Sequence, residues 1–420
     1  MLRTAFGRRR LREGLWFLLW PVSSRLAALY RHTLARKIRV TAVVGSLGKT
    51  TTTHAVAAAL GLSIRHGLGA NSLGAIPRAV LRLRPWDRRA VVEVGIDGKW
   101  QMAPMARTVR PEIAVVTCIA SEHNRSLETL EVTRHEKADM VRVLSSSGTA
   151  VLNGDDPNVL WMAGQTRAKI VTFGFVETNH VRASDAHLDW PRGTRFRLHA
   201  GGEERDVMIR LFGRQMIYSA LAAVAVALEE SVPLDDALPR LAALSPLSGR
   251  MEAKLLDNGA VLLCDDYKST LESIHAALDV LEEVPAQRKI VVFGPISEPP
   301  GHLRQFYRAL GARIARNAQL AVCVDSYNHY KPGLLHAGLP RESVMDAGSG
   351  STRAIGLLRQ NLRPGDVVLI KGRLSQKLSR IALTLEGREV GCTLTACHRC
   401  GTVCEECPMI ECGWKGSALR

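Results

Sequence analysis

The chain has 420 residues and a formal net charge of +16. Its length exceeds that of one ordinary domain and predicts two or three domains. The first 39 residues hold ten Lys or Arg and one Glu, and so carry +9 of that charge; the remainder is only mildly basic, which argues against a protein that coats nucleic acid, and we expect no nucleic-acid partner.

Residues 1–39 combine an arginine-rich run, Arg8 to Arg12, with an apolar run, Leu15 to Val22. Eight apolar residues are too few to span a bilayer, which takes about 20, and no small-residue cleavage site follows them. Two interpretations stay open. The segment is either an interfacial helix that contacts an anionic membrane, or a helix that covers the central sheet. It is also a candidate contact for a protein partner.

A glycine-rich segment, Gly45 to Thr52, follows the apolar run Val40 to Val44 and precedes a helical pattern. This order suits phosphate binding, because glycines let backbone N–H groups approach an anion and the helix N-terminus adds a positive dipole end. Lys49 adds a charge, and Thr50 can ligate magnesium. Val43 stands where a standard Walker A loop has its first glycine, so a plain glycine turn stays open as the alternative.

Apolar runs and helical patterns alternate as far as about residue 175. Runs that predict buried parallel strands lie at 90–94, 113–117, 149–152 and 170–173, and predicted helices lie near 50–60, 128–145 and 156–163. In such a doubly wound layer, ligands bind beyond the carboxyl ends of the strands. Residues 179–211 predict a small antiparallel addition, and a helix follows at 215–229.

A second alternation of strands and helices begins near residue 248. Asp257-Asn258-Gly259 between two apolar runs predicts a hairpin. We therefore predict an α/β chain with a central phosphate-loop domain and a Rossmann-like C-terminal domain. The predicted units are a helical segment at 1–39, the two domains at 40–247 and 248–390, and a Cys-rich tail at 391–420.

Several polar residues lie where chemistry is expected, although each also has a plain structural explanation. Glu93 ends an apolar strand, where a carboxylate near a phosphate loop is a good magnesium ligand. His123 lies in a loop, Lys137 in a helical pattern, and Asn153 to Asp156 between a strand and a helix. Solvated loops, an exposed salt-bridged helix face and helix capping account for the same residues.

Taken together in this order, these residues resemble the Mur ligase family, the ATP-dependent ligases that build the peptide of peptidoglycan. The family's phosphate loop is the shorter Gly-x-x-Gly-Lys-Thr-Thr form, which Gly45 to Thr52 matches. Further segments that look like the family's motifs are Asn71 to Pro77, Val92 to Gly95, Val151 to Pro157, Gly249 to Glu252, Asp265 to Thr270 and Val368 to Arg373. The resemblance spans about 40–385, and its second half is similar to the D-alanyl-D-alanine-adding branch.

The resemblance implies ATP and Mg²⁺ as cofactors and gives each matching position a role. The implied catalytic residues are Lys49, His123, Lys137, Arg250 and Lys268. The implied nucleotide-binding residues are Gly45, Gly48, Lys49, Thr50, Thr51, Asn153, Asp156, Arg250 and Asp266. Magnesium would be held by Thr50, Glu93 and His123, and many members carry a carbamate on the lysine at position 137 that helps to hold a second ion. The implied substrate-binding residues are Asn71, Glu298, Lys371 and Arg373.

Two departures from the family's pattern affect the expected substrates. Only 44 residues precede Gly45, whereas family members usually carry a whole domain there to hold a UDP-sugar, so the usual nucleotide-sugar substrate is in doubt. The segment Leu211 to Ala220 aligns with a helix start that normally offers histidine and asparagine near adenine. Here it offers Gln215, Met216 and Ser219, so we expect a different contact with the base.

Six of the nine cysteines fall in the last 29 residues. Cys397, Cys400, Cys404 and Cys407 form two Cys-x2-Cys pairs, with Cys392 and Cys412 as alternates. A tail with few large apolar side chains cannot bury a core, so we predict a metal-binding tail. Zinc suits paired knuckles, while the short spacer and Cys407-Pro408 leave an iron–sulfur site open, as well as a disordered or redox-active tail. The tail is also a candidate for docking a protein partner.

The resemblance implies carboxylate activation by ATP bound between the two domains. The γ-phosphate would pass to a small-molecule or peptide carboxylate, and an amine would then attack the acyl phosphate to give an amide, ADP and phosphate. Two alternatives stay open: a membrane-surface phosphate-loop NTPase or kinase, and a non-catalytic nucleotide-binding scaffold whose tail recruits a partner. A nucleotide site predicts a cytoplasmic location, with membrane association through residues 1–39 as an open addition.

Overall fold

The computed structural model describes residue 14 and residues 18–63, 72–121, 124–299, 301–395, 397 and 403–413. Three predicted site residues, Asn71, His123 and Cys400, lie outside these ranges. The described chain contains two sheets, and each sheet is packed against helices on both faces. This arrangement confirms the predicted α/β fold class.

The first sheet contains the phosphate-loop strand. Its strands are β1 (Arg39–Val44), β2 (Arg89–Glu93), β3 (Ile113–Val116), β4 (Thr149–Asn153), β5 (Lys169–Gly174), β6 (Val181–Asp189), β7 (Gly193–Ala200) and β8 (Glu203–Ile209). They lie in the order β2-β1-β3-β4-β5-β6-β7-β8. Strands β1 to β6 pair in parallel, and β6, β7 and β8 pair antiparallel. The antiparallel addition predicted from the alternation at 179–211 is confirmed.

Helices cover both faces of this sheet because both faces of its strands are apolar. They are α1 (Trp20–His32), α2 (Lys49–Ala59), α3 (Ile76–Leu81), α4 (Met102–Val109), α5 (Asn124–Leu127), α6 (Leu130–Arg142), α7 (Pro157–Leu160), α8 (Arg214–Glu229) and α9 (Leu234–Ala242). Val43 and Val115 pack towards α2 and α8, whereas Ala42 and Val116 pack towards α1, α3, α4 and α6. Side chains of a strand alternate between faces, so each parallel strand is apolar on both sides.

Helix α1 packs against α3 and α4 through its inner face. Ala27 and Arg31 are buried there. The Arg31 guanidinium donates to the carbonyl of Val109 at 3.0 Å and to both carboxylate oxygens of Glu112 at 2.7 and 2.8 Å. Such pairing offsets the cost of burying the charge, so the inner face of α1 is part of the first domain's core. Within the described residues, no helix combines the length and apolar character needed to cross a bilayer.

The second sheet belongs to the C-terminal half of the chain. Its strands are β9 (Glu252–Leu255), β10 (Val261–Asp265), β11 (Arg288–Phe293), β12 (Leu320–Cys323), β13 (Val344–Asp346) and β14 (Asp366–Lys371). Its helices are α10 (Leu271–Glu283), α11 (Leu303–Asn317), α12 (Tyr327–His336), α13 (Ser351–Asn361) and α14 (Ser379–Leu385). The strands lie in the order β13-β12-β11-β14-β10-β9. Only β9 runs antiparallel to its neighbour, with Leu255 paired to Val261, which confirms the predicted hairpin.

The described part of the tail lies against α14. Its apolar contacts form a small cluster that contains Leu383, Cys392, Cys404 and Ile410. A short 3-10 turn, Cys404–Glu406, begins at one of these cysteines. The described tail residues therefore pack on the second domain through side chains of their own.

Candidate active site

A cavity of about 850 Å³ lies between the carboxyl edge of the first sheet and the second domain. The phosphate loop, the ends of β2, β3 and β4, and the start of α8 line one side. The segments around Arg250 and Lys268, together with Lys371, line the other side. Ten of the predicted site residues line this cavity: Gly48, Lys49, Thr50, Thr51, Glu93, Asn153, Asp156, Arg250, Lys268 and Lys371.

The phosphate loop depends on glycine at two positions. Gly45 has φ +144°, and a Cβ there would lie 1.9 Å from the hydroxyl oxygen of Thr117. Gly48 has φ +77° and stands at the N-cap of α2. The Lys49 ammonium folds back over the loop and donates to the carbonyls of Gly45 and Ser46, each at 2.8 Å. The loop thus presents a helix N-terminus and a buried cation to the cavity.

Oxygen donors suitable for magnesium meet at the start of α2. The Thr50 hydroxyl lies 3.2 Å from a carboxylate oxygen of Glu93, which is 1% exposed. Hydroxyl and carboxylate oxygens are the ligands that Mg²⁺ prefers, so these two residues fit the ion. Arg250 donates to the same hydroxyl at 3.1 Å, and its guanidinium carbon lies 4.2 Å from the centre of the Tyr267 ring.

Lys137 lies beneath the phosphate loop and not on an exposed helix face. It is 3% exposed, and its ammonium donates to the Ser46 hydroxyl at 2.8 Å. That hydroxyl also accepts from the backbone N–H of Ala120 at 2.9 Å. Lys137 is therefore connected to both the phosphate loop and the segment that follows β3, the segment that leads to His123. Its carbamylation stays a prediction.

Asn153 and Asp156 fix the backbone that follows β3. The Asn153 amide donates to the carbonyl of Thr117 at 2.8 Å, and Asp156 accepts from the N–H of Ile119 at 2.7 Å. Asp156 also caps α7 through the N–H of Asn158 at 2.9 Å. Asp156 thus caps a helix, and both residues line the cavity. A direct contact with the nucleotide stays a prediction.

The second-domain motif divides its residues between the cavity and the domain interior. Lys371 is 1% exposed and donates to a carboxylate oxygen of Asp265 at 2.7 Å and to the carbonyl of Lys268 at 2.6 Å. Asp266 is not among the residues that line the cavity, whereas the adjacent Asp265 is. The structure thus favours Asp265 as the carboxylate on this side.

The carboxyl of Asp266 is buried next to the tail. Burial first, and the nearby charge of Glu405 second, raise its pKa from the ordinary 3.8 to about 7. Its Oδ1 atom has no hydrogen-bond partner among the described residues. The Asp266 carboxyl group is therefore neutral up to a pH well above the one at which an aspartate ordinarily ionises.

Glu298 and Arg373 lie on loops that follow β11 and β14, outside the lining of the cavity. The loop of Glu298 is tied to the cavity segment, since Ser297 N–H donates to the carbonyl of Ser269 at 2.8 Å. The Nε atom of Arg373 is buried and has no hydrogen-bond partner among the described residues. Their proposed contact with the incoming amine stays a prediction.

One contact across the cavity was not predicted from the sequence. A carboxylate oxygen of Glu272, in the first turn of α10, accepts hydrogen bonds from the N–H of Ser121, at 3.0 Å, and from its hydroxyl. The other oxygen of Glu272 is buried without a partner among the described residues. Ser121 directly precedes Glu122 and His123, so the second domain contacts the segment that carries the predicted magnesium histidine. Position in a helix's first turn was the only sequence signal.

The start of α8 contributes a second set of unpredicted contacts. The Tyr218 hydroxyl donates to Asp155 at 2.9 Å, and its ring meets Phe175 edge-on at 5.1 Å between ring centres. The guanidinium carbon of Arg214 lies 3.7 Å from the centre of the Phe175 ring. Gln215, Met216 and Ser219 line the cavity beside them. This aromatic group is a candidate for the base contact that the family's usual histidine and asparagines would have supplied.

The cysteine tail shows no assembled metal site in the ranges that the structure covers. No group of three His, Cys, Asp or Glu side chains there is placed to hold a metal ion. Cys404 is buried, and burial raises the pKa of its thiol. The prediction of a metal-binding tail is thus not supported, although Cys400 lies outside the described residues.

Two family models match the chain. The one described as Mur ligase middle domain covers residues 43–227, and the one described as Mur ligase, glutamate ligase domain covers residues 249–374. Together they include the phosphate loop and all the described cavity residues from Ser46 to Lys371.

Curated relatives and solved structures agree with these matches. The UDP-N-acetylmuramoyl-tripeptide--D-alanyl-D-alanine ligase of Mycobacterium tuberculosis is 30% identical over 396 residues, which is 87% of this chain and 76% of that protein. The Bacillus subtilis enzyme of the same name is 28% identical over 86% of this chain and 78% of its own length. A crystal structure of MurF from Acinetobacter baumannii has a TM-score of 0.77 at 23% identity, covering 88% of this chain and 81% of its own. MurF ligase from Thermotoga maritima in complex with ADP gives 0.76 at 19% identity, with 88% and 83% covered.

Proposed function

This chain belongs to the Mur ligase family and is an ATP-dependent ligase that forms peptide bonds, and we propose that ATP, a carboxylate and an amine meet in the cavity between its two sheets. The observation that carries the proposal is the convergence of the phosphate loop, Glu93, Arg250 and Lys371 on that one cavity. Charge that develops on a transferred phosphoryl group would lie between cations from both domains.

The phosphate side of the proposed reaction uses Lys49, Thr50 and Arg250. The γ-phosphorus bond to ADP breaks while a bond to a substrate carboxylate oxygen forms, and the negative charge is spread over the phosphoryl oxygens. Arg250 is well placed to contact these oxygens, because it already contacts Thr50 in the phosphate-loop helix. Its stacking on Tyr267 limits the directions in which it can move.

Magnesium fits the donors on this side. Thr50 and Glu93 would hold it, with His123 as the third proposed ligand and Lys137 as a further contributor in its carbamylated form. The ion would neutralise part of the nucleotide's phosphate charge. The buried position of Glu93 supports this role, because a carboxylate 1% exposed beside a phosphate site favours a cation.

The amine side of the reaction is proposed to lie near Lys371. The amine nitrogen would attack the acyl carbon, inorganic phosphate would leave, and the nitrogen would lose a proton. We propose a dipeptide of the D-alanyl-D-alanine type as the amine and a peptide carboxyl end as the acid, because the curated relatives are named for that pair. Glu298 and Arg373, on loops beside Lys371, would orient the dipeptide, and Asn71 would contact the acid.

The proposed setting is the cytoplasm, where ATP is available. A zinc ion in the tail is retained as a proposal on the Cys-x2-Cys spacing alone. Metal analysis of the purified full-length chain tests it, and less than one zinc per ten chains would reject a zinc site.

The test of the activity is ADP release from the full-length chain with a tripeptide-linked carboxylate, with and without D-alanyl-D-alanine. We expect release to depend on the dipeptide, and mass spectrometry to find the amide product. Turnover with acid alone and a stable phosphorylated product would indicate a kinase instead. Intact ATP binding without turnover on any acid and amine pair would indicate a scaffold.

A further inference from the structure

Helix α1 has a buried inner face and an apolar outer face that is exposed. On the outer face, Val22, Leu26 and Leu29 are between 55% and 60% exposed, and Leu18, just before the helix, is 77% exposed. The three helical residues follow one another at intervals of four and three residues, which places them on one side of the helix. The buried residues Ser23, Ala27 and Arg31 follow one another at intervals of four residues and form the opposite, inner side of the helix. We call these four exposed side chains the outer stripe.

A second exposed segment adjoins the stripe. The Tyr30 hydroxyl donates to the carbonyl of Leu83, which fastens α1 to the stretch between α3 and β2. Leu81, the last residue of α3, and Trp86, on this stretch, are exposed, and Trp86 is 74% exposed. The Arg84 guanidinium carbon lies 5.9 Å from the centre of the Trp86 ring. Apolar and aromatic side chains thus continue from the helix onto the neighbouring loop.

The charges around this surface have one sign. Residues 18–38 contain no Asp or Glu, and residues 72–88 contain only Asp87. The exposed cations on these segments are Arg25, Arg36, Lys37, Arg82, Arg84 and Arg88. A surface with exposed leucines, a tryptophan and a rim of arginines complements a layer that is apolar within and anionic at its border.

We propose that the outer stripe and the loop around Trp86 form a docking surface for an anionic lipid bilayer. The leucines would enter the boundary between headgroups and acyl chains, and Trp86 would lie at the headgroup level. The arginines would contact lipid phosphates, with further arginines upstream in the sequence adding to the attraction. A lipid surface fits better than an acidic protein groove, because the cations lie beside a helix face that is exposed and not recessed in the domain.

Vesicle co-sedimentation of the full-length chain tests this proposal. Vesicles of equal parts phosphatidylglycerol and phosphatidylcholine should bind the chain at least about tenfold more strongly than pure phosphatidylcholine vesicles. The double variant V22E/L26E should lower binding to the anionic vesicles about tenfold or more. Basal ADP release should not change, since Val22 and Leu26 are not among the residues that line the cavity.

The matched control is L255E/L303E, which places the same two charges on exposed leucines of the second domain. It should bind vesicles like the wild type. A third variant, R82E/R84E, separates the two contributions, because it should weaken binding to anionic vesicles and leave the weak binding to neutral vesicles unchanged.

Four results would overturn the proposal. Wild-type binding no stronger to anionic than to neutral vesicles is one, and equal losses in V22E/L26E and L255E/L303E is another. Concentration-dependent dimers in sedimentation velocity that V22E/L26E abolishes, without vesicle binding, would assign the stripe to a second copy of the chain. Lower thermal stability of V22E/L26E without vesicle binding would instead assign the stripe to the chain's own first residues.

Discussion

The two sides of the cavity differ in how far their polar groups are already paired. On the phosphate-loop side, Lys49 donates to two carbonyls and Lys137 donates to Ser46. In the second domain, Glu272 at the cavity and Asp266 in the domain interior each keep a buried carboxylate oxygen without a hydrogen-bond partner among the described residues. The first side is organised in advance for negative charge, whereas the second contains groups whose partners can change when ligands bind or the domains move.

The largest expected effect tests the organised side. Lys49→Ala removes the charge nearest the proposed phosphate site together with two hydrogen bonds of the loop. We expect a 100- to 1,000-fold loss of ADP release at saturating substrates, about the cost of removing one preorganised donor. Lys169→Ala, an exposed lysine paired with Glu229, should keep near wild-type activity. Equal effects of the two substitutions would contradict a special role for Lys49.

The next prediction concerns the residue that joins the two sides. Arg250→Lys keeps a positive charge but loses the stacking on Tyr267 and the planar fork that reaches Thr50. We expect kcat to fall about tenfold or more. Arg134→Lys is the matched control, because Arg134 also stacks on an aromatic ring, that of Trp161, at 4.3 Å. A loss in both variants would indicate a stability effect, which thermal unfolding would detect.

A smaller effect is expected at the contact between the domains. Ser121→Ala and Glu272→Gln each remove part of the same pair of hydrogen bonds. Measured as kcat/KM for the amine, the two substitutions should be non-additive, with a coupling of about 1 kcal/mol. Additive losses would show that the contact does not influence the reaction.

The smallest effect concerns pH and the unorganised side. Because the pKa of Asp266 is raised to about 7, its stabilising contribution is complete below pH about 4 and is lost as the pH rises to about 7. Asp266→Asn removes this titration. The melting temperature of the variant, relative to that of the wild type, should therefore rise by a few degrees as the pH is raised from 5 to 8. The exposed Asp257→Asn is the control. Parallel melting curves against pH for Asp266→Asn and the wild type would contradict the raised pKa.

The sequence predicted the organised side well because its signals are local. Gly45 to Thr52 lies between a strand and a helix, and the resemblance to the family gave Glu93 and Arg250 their predicted roles; both residues line the cavity. The contacts missed from the sequence are non-local. Ser121 and Glu272 are 151 positions apart, and Asp155 and Tyr218 are 63 apart. No pattern of hydrophobic or polar residues along the sequence links such pairs, because only the tertiary fold brings them together.

Four of the helices that the sequence did not predict each contain a proline. Pro77 lies in the first turn of α3, Pro104 in the first turn of α4, and Pro239 and Pro332 inside α9 and α12. Proline is usually a helix breaker, but the first turn tolerates it because the N–H there has no partner within the helix. The two helices with an interior proline pack mainly on neighbouring helices, α9 on α2 and α8, and α12 on α11. Local propensity therefore failed where tertiary contacts decided.

The strand order of the second sheet determines when that sheet can fold during translation. Strand β14 is the last strand among the described residues, yet it lies between β10 and β11. Until residue 371 has left the ribosome, those two strands lack the neighbour they share, whereas β1 to β5 already have theirs. The N-terminal domain can thus fold while the chain is still being made. The second sheet cannot form until its central strand, β14, has been synthesised. We therefore expect the nascent chain to be inactive up to that point.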